Sequence, residues 1–225
     1  MNRGQACDMR FGAVAAVWLL LAGPGQAFAA GKPFKVTGDH MTLLDKGKSV
    51  EFVGNARLES ASFTVTSERM VHRDQGDVAE ATGRVHLIHR TTEGNTLDAF
   101  GDHLRHEGPI QFSRLTGESV RLFWVDTVKP KESTTLDCRV LEVWHSSDQA
   151  HATGQVRIQK EKVQAEGEEA WYDDRADRLT LTGHPKAYEE DADGTATYTG
   201  DTMHLKPRAE RLRIEGRAHA RLEPK

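Results

Sequence analysis

Carboxylates recur along this 225-residue chain at a spacing that invites an acid–base reading. Asp39, Glu68, Asp102, Glu168 and Asp201 each stand fifteen residues before a glycine, at Gly54, Gly83, Gly117, Gly183 and Gly216. Arg139 takes the same place before Gly154. Paired carboxylates are the tools of glycoside hydrolysis, where one protonates the leaving oxygen and the other attacks or activates water. A catalytic pair is made once, whereas these recur at one structural position, so they read as corner residues accepting backbone N–H bonds. The eleven histidines raise metal binding, with His86-x-x-His89 and His103-x-x-His106 the tempting pairs. Residues three apart on a strand point to opposite faces, so neither pair chelates from a regular strand. Single histidines then read as wet-face residues. There is no G-x-S-x-G elbow, no G-x-G-x-x-G and no phosphate loop. The reading is a non-enzyme with no catalytic residues, no metal site and no cofactor.

The elements that must position these residues follow from the repeat itself. Around each glycine the side chains alternate, as in a half-buried strand. The first copy places Val50, Phe52, Ala56 and Leu58 on one face and Glu51, Asn55 and Arg57 on the other. The second and fourth copies repeat this with Ala79, Ala81, Val85, Leu87 and with Ala150, Ala152, Val156, Ile158. The glycine lies on the apolar face, where it relieves crowding or lets the strand bend. Around the marker the apolar positions change parity, so the chain must bulge or turn a corner there. The residues just before it, Gly38, Ser67, Gly101, Cys138, Gly167 and Gly200, are all small. In the third copy the apolar positions shift to Val120, Leu122 and Trp124, which predicts a bulge after Gly117. In the fifth, His184-Pro185 predicts interrupted or edge pairing, since proline cannot donate to a ladder. Turns fall at Asp45-Lys46-Gly47-Lys48, Arg73-Asp74-Gln75-Gly76 and His106-Glu107-Gly108-Pro109, and a longer loop at Asp126 to Ser133. The run Glu161 to Ala176 has helical propensity, but its place in the repeat makes it strand. Consecutive hairpins with one apolar face each must fold face to face or roll up to hide it.

Arg3 and Arg10, the apolar run Phe11 to Gly23, Pro24-Gly25 and Ala27-Phe28-Ala29 have the layout of a secretory signal cleaved after Ala29. That run would make a helix of about 20 Å, shorter than a bilayer core of about 30 Å. The expected organisation is a signal at 1–29 and a single domain of six repeats at 30–225. Cys7 leaves with the signal, and Cys138 alone then forms no internal disulfide. The net charge is −4, with Lys and Arg scattered among Asp and Glu, so no basic patch offers to bind nucleic acid.

The segment Val50-Glu51-Phe52-Val53-Gly54-Asn55-Ala56-Arg57-Leu58, followed by Phe63-Thr64-Val65-Thr66-Ser67-Glu68-Arg69-Met70-Val71, resembles the LptA/OstA domain of lipopolysaccharide transport. Gly54-Asn55-Ala56 and Ser67-Glu68 match its pattern best. Gly83-Arg84-Val85 and Gly154-Gln155-Val156 are looser copies, and the likeness covers nearly the whole chain after the signal. Positions that are aromatic in the family are His72, His106 and Tyr172 here. The resemblance implies an all-β fold, a repeat-built β-jelly-roll of roughly 12 to 16 antiparallel strands forming an open, twisted two-sheet V. It implies a periplasmic protein sheltering the acyl chains of lipopolysaccharide in an apolar groove. Its partners would be an LptC-like inner-membrane protein and an LptD-like outer-membrane protein, with head-to-tail self-association at the sheet edges.

Large inward residues are the expected lipid contacts: Met41, Leu43, Phe52, Phe63, Met70, Leu87, Leu104, Leu115, Leu122, Trp124, Leu141, Val143 and Ile158. The same residues would serve as plain core in any sheet protein. Three other readings stand beside this one: an LptC-like subunit anchored by a retained N-terminal segment, a polysaccharide-binding β-solenoid, and a structural repeat with a dry interior.

Overall fold

The alternating repeats become strands over nearly the whole chain. In this computed structural model residues 34–224 are described, except 62, 74–76, 91–95, 126–132, 161, 191–193 and 207–210. The expected signal, most of the turn after Arg73 and nearly all of the loop Asp126 to Ser133 lie outside the described residues. The strands in order are β1 (Lys35–Thr37), β2 (His40–Leu44), β3 (Ser49–Glu59), β4 (Phe63–Arg73), β5 (Val78–Arg90), β6 (Thr96–Glu107), β7 (Phe112–Val125) and β8 (Thr134–Trp144). There follow β9 (Gln149–Lys160), β10 (Val163–Asp173), β11 (Arg178–Thr182), β12 (Lys186–Glu190), β13 (Gly194–Thr199), β14 (Thr202–Lys206), β15 (Arg211–Glu215) and β16 (His219–Pro224). Among the described residues a 3-10 turn at Asp45–Gly47 is the one helical element. The run read as strand against its helical propensity is β10.

The sixteen strands form one open antiparallel sheet in which each long strand pairs with its sequence neighbours. No pair is parallel among the described residues, which overturns the β-solenoid reading, since its rungs would stack in parallel. The six repeats contribute two strands apiece. From β3 to β10 these are continuous, whereas at the ends of the sheet they break at the marker or the glycine. β1 and β2 part at Gly38-Asp39, β11 and β12 at Gly183 to Pro185, β13 and β14 at Gly200-Asp201, and β15 and β16 at Gly216 to Ala218. The expected interruption at His184-Pro185 is therefore present, and beyond it the sheet divides. One arm runs β10-β11-β14-β15 and the other β10-β12-β13-β16.

Every long pair slips register at the repeat motif. In β3 and β4, Val53 pairs with Arg69 and Ala56 with Ser67, so Gly54 and Asn55 together face Glu68 alone. Both bulge residues are left-handed, at φ 76 and 48, as are Gly83-Arg84, Gly154-Gln155 and Gly183-His184. The third copy has the expected bulge, and it is larger than the others: Gly117, Glu118 and Ser119 lie between Thr116 and Val120, opposite Arg139. An extra residue on one strand bends the pair, and repeating the bend at the same level in every pair folds the sheet along a crease. Two half-sheets result, and the marker strands change parity there, with Phe63 and Val65 facing inward before it and Met70 after it. One apolar core joins them, running from Ala56 and Leu58 through Leu122 and Leu136 to Met203 and Leu205. This is the open β-jelly-roll.

The glycine departs from the expectation that it relieves crowding on the apolar face. A Cβ on Gly83 would lie 2.5 Å from Glu68 Oε2, and the marker side chains are exposed. The space is thus filled from the wet side by the marker itself. The marker carboxylates accept backbone N–H bonds in two copies, Glu118 to Asp102 at 3.0 Å and Arg217 to Asp201 at 3.3 Å. In two others they accept side-chain donors instead, Asn55 Nδ2 to Asp39 at 2.9 Å and Arg84 Nε to Glu68 at 2.7 Å.

Candidate functional site

The space between the half-sheets is the candidate site, and the inward positions of the strands line it. Phe63, Met70, Leu104, Leu115, Leu122, Trp124, Leu141, Val143 and Ile158 are all buried there, and Phe52 and Leu87 are half-buried against the same core. These eleven are brought together. Met41 and Leu43 are not, being 62% and 63% exposed. They share a face with Phe52 and Val50, their partners on β3, but β2 is an edge strand, and none of the described residues covers that face beyond it. Phe34 near β1 and Leu222 on β16 are likewise exposed, so apolar side chains reach solvent at both ends of the sheet.

Packing along most of the interior is tight, with Leu122, Leu136 and Met203 fully buried. Toward the N-terminal end a cavity of about 20 Å3, room for one water, remains. Leu58 and Val65 line it from one half-sheet, and Met70, His72, Ala79, Ala81, Leu104 and His106 from the other. Its wall shows what the sequence reading missed. Histidines assigned to the wet face are partly inside: His72 and His106 border the cavity, and His106 and His145 both hydrogen-bond the Ser113 hydroxyl at 2.9 Å. His86 and His89 do fall on opposite faces, His86 outside against Asp98 at 2.8 Å and His89 inside opposite Phe63. The signal available was parity: His72, His89 and His106 occupy inward registers beside Ala79, Leu97 and Ser113.

Burial sets the electrostatics of this cluster. It holds His72 and His89 below the ordinary imidazole range. It drives His106 to about 3, with His145 adding to the effect. His145 is lowered too, by burial and then by His89, against a smaller opposing pull from Asp148. These imidazoles are neutral at pH 7, hydrogen-bonding groups in a wall that is apolar apart from them and Glu80. Burial, and secondarily Asp137, pushes the Cys138 thiol up to about 12, and the thiol is buried and unpaired with any other cysteine. It is an inert core residue. Among the described residues no group of three or more His, Cys, Asp or Glu is placed to hold a metal, and no helix is long and apolar enough to cross a membrane.

A repeat-built antiparallel sheet, creased so that its two halves enclose one apolar interior, defines an open β-jelly-roll. The chain belongs to the family described as LptA/(LptD N-terminal domain) LPS transport protein, whose sequence pattern matches residues 35–211. Among solved structures it is similar to LptH, the LptA-homologous periplasmic component of the conserved lipopolysaccharide transport device of Pseudomonas aeruginosa. The likeness has 13% identity and a TM-score of 0.36, and covers 69% of this chain and 86% of that one. No curated protein matches.

Proposed function

We propose that this protein carries lipopolysaccharide through the periplasm, its acyl chains lying between the two half-sheets. The observation that carries this is the single apolar interior, contributed by both halves and hinged at a row of bulges. Family membership supports the transport role. The energetics support the shelter: each methylene withdrawn from water is worth about 0.8 kcal/mol, so a 12-carbon chain left in water costs on the order of 10 kcal/mol. A continuous apolar path lowers that cost along the whole route. The exposed edges at β1 and β2 and at β15 and β16 suit strand addition by an LptC-like protein at one end and an LptD-like protein at the other, or by a second copy. The protein is then a passive conduit whose driving force comes from elsewhere in the system.

The tight packing favours a second reading, a structural repeat whose interior stays dry. Photo-crosslinking separates the two, with a probe placed singly at Phe52, Met70, Leu104 and Trp124 and, as wet-face controls, at Arg57 and Arg84. Lipopolysaccharide adducts at the four inward positions alone are expected. A folded protein that gives none with lipid in excess is the dry repeat.

A further inference from the structure

The outer face of the first half-sheet carries an aromatic array that the groove does not use. Phe112 on β7 pairs directly with Trp144 on β8, and His151 on β9 pairs directly with Trp171 on β10. All four have outward parity, since their strand neighbours Ser113, Val143, Ala150, Ala152, Ala170 and Tyr172 face the interior. The rings form one stack across four strands. Phe112 and Trp144 lie 5.3 Å apart, Trp144 and Trp171 5.5 Å apart at 14°, and His151 and Trp171 4.3 Å apart at 15°. Trp171, between Trp144 and His151 in the stack, is 43% exposed.

Polar groups border the rings on several sides. Glu142 and Glu169 flank His151 at 3.6 and 3.8 Å, and Gln149 donates to Asp173 at 3.1 Å. Cross-strand aromatic pairs do stabilise sheets, but packing gives no reason to leave an indole this open beside carboxyl groups. That combination narrows the ligand. Carboxylates among the rings repel an anionic membrane surface or a nucleic acid. An electron-rich indole face with hydrogen-bond acceptors beside it complements a pyranose, whose C–H face is electropositive and whose rim is hydroxyl. Position adds a second argument. Phe112 begins β7 and Trp144 ends β8, so the stack sits at the hairpin rim of its half-sheet, just outside the interior. A lipid held by its acyl chains between the half-sheets must pass its saccharide over a rim.

We propose that the Phe112–Trp144–Trp171 stack is a saccharide-binding surface, taking a pyranose unit of the glycan carried by the lipid in the groove. The origin of the sugar rests on the lipid-transport reading; the surface itself does not. Saturation-transfer NMR on the intact protein tests it, with lipid-free oligosaccharide released from lipopolysaccharide by mild acid as the probe. Transfer to the sugar ring protons is expected. Trp171→Ala should weaken binding about tenfold, as truncating an exposed aromatic anchor does. Phe100→Ala, an exposed aromatic on the other half-sheet, should leave it unchanged. Because Trp171 is exposed, its variant is expected to stay folded, and an unchanged melting curve verifies this. No transfer to the folded wild type, or equal transfer to Trp171→Ala, overturns the proposal. The two readings fail separately: inward crosslinks to lipid without a sugar signal remove the saccharide surface alone, and a sugar signal without crosslinks removes the groove and leaves the surface.

Discussion

Each repeat glycine and its marker act as a pair of shapes before they act as a charge. Gly83 has a φ of +77, and Glu68 Oε2 occupies the place where its Cβ would go. Gly83→Ala should therefore cost about 1–3 kcal/mol from the left-handed backbone, with the collision added, as read by urea unfolding. Adding Glu68→Ala should recover only part of the collision, because Glu68 Cβ stays 2.9 Å from the new methyl, and none of the backbone part. A second residue-scale consequence comes from the buried imidazoles. His72, His89, His106 and His145 all have folded values depressed below the unfolded one. Below the unfolded value near 6.5 the unfolded chain binds more protons, so stability present at neutral pH falls as pH drops from there toward 3. Thermal midpoints measured between pH 7 and 4 should decline, and His106→Phe should flatten that decline. A midpoint constant across this range would mean the cluster is hydrated and open. The sequence displayed the glycines and markers plainly. It concealed the inward histidines, because a polar residue on an apolar parity looks like a pattern error until its partner Ser113, on the neighbouring strand, is seen beside it.

Strand identity was legible because period-2 alternation around each glycine survives even in β10, where Ala and Glu favour helix. The crease was legible as well. Parity on one marker strand cannot change without a bulge, and Pro185 cannot continue a ladder. Less visible was which strand carries the extra residue and which direction the glycine faces, since both depend on the register of a neighbouring strand. Met41 and Leu43 illustrate the same limit: their alternation is that of a core strand, and among the described residues no further neighbour covers them. Strands in the middle and at the ends of the sheet should accordingly differ in what a leucine contributes. Leu122→Ala on β7 removes a fully buried side chain and should cost about 2–5 kcal/mol, whereas Leu222→Ala on β16, 67% exposed, should stay within about 0.5 kcal/mol. Chemical denaturation of the two variants tests this. Equal losses would mean that β16 is covered in solution, as an edge joined to another chain would be.

At the scale of the whole molecule the row of bulges creases the sheet, and on the transport reading proposed above that crease is the hinge about which the two halves would part. The cavity lined by Leu58, Met70 and Leu104 has room for one water and not for an acyl chain. On the same reading, an acyl chain entering there would separate the half-sheets while the bulges hold them together. The most direct test is the distance between spin labels on the two halves, at Arg178→Cys on β11 and Gln159→Cys on β9, both exposed and outward. The native Cys138 is buried, with its thiol pushed up to about 12, and stays unlabelled, and Cys7 is replaced by serine in the labelled variants. Lipopolysaccharide should lengthen the distance, and lipid-free oligosaccharide should leave it unchanged. An unchanged distance in a sample shown to hold bound lipopolysaccharide would place the lipid outside the half-sheets and contradict the account.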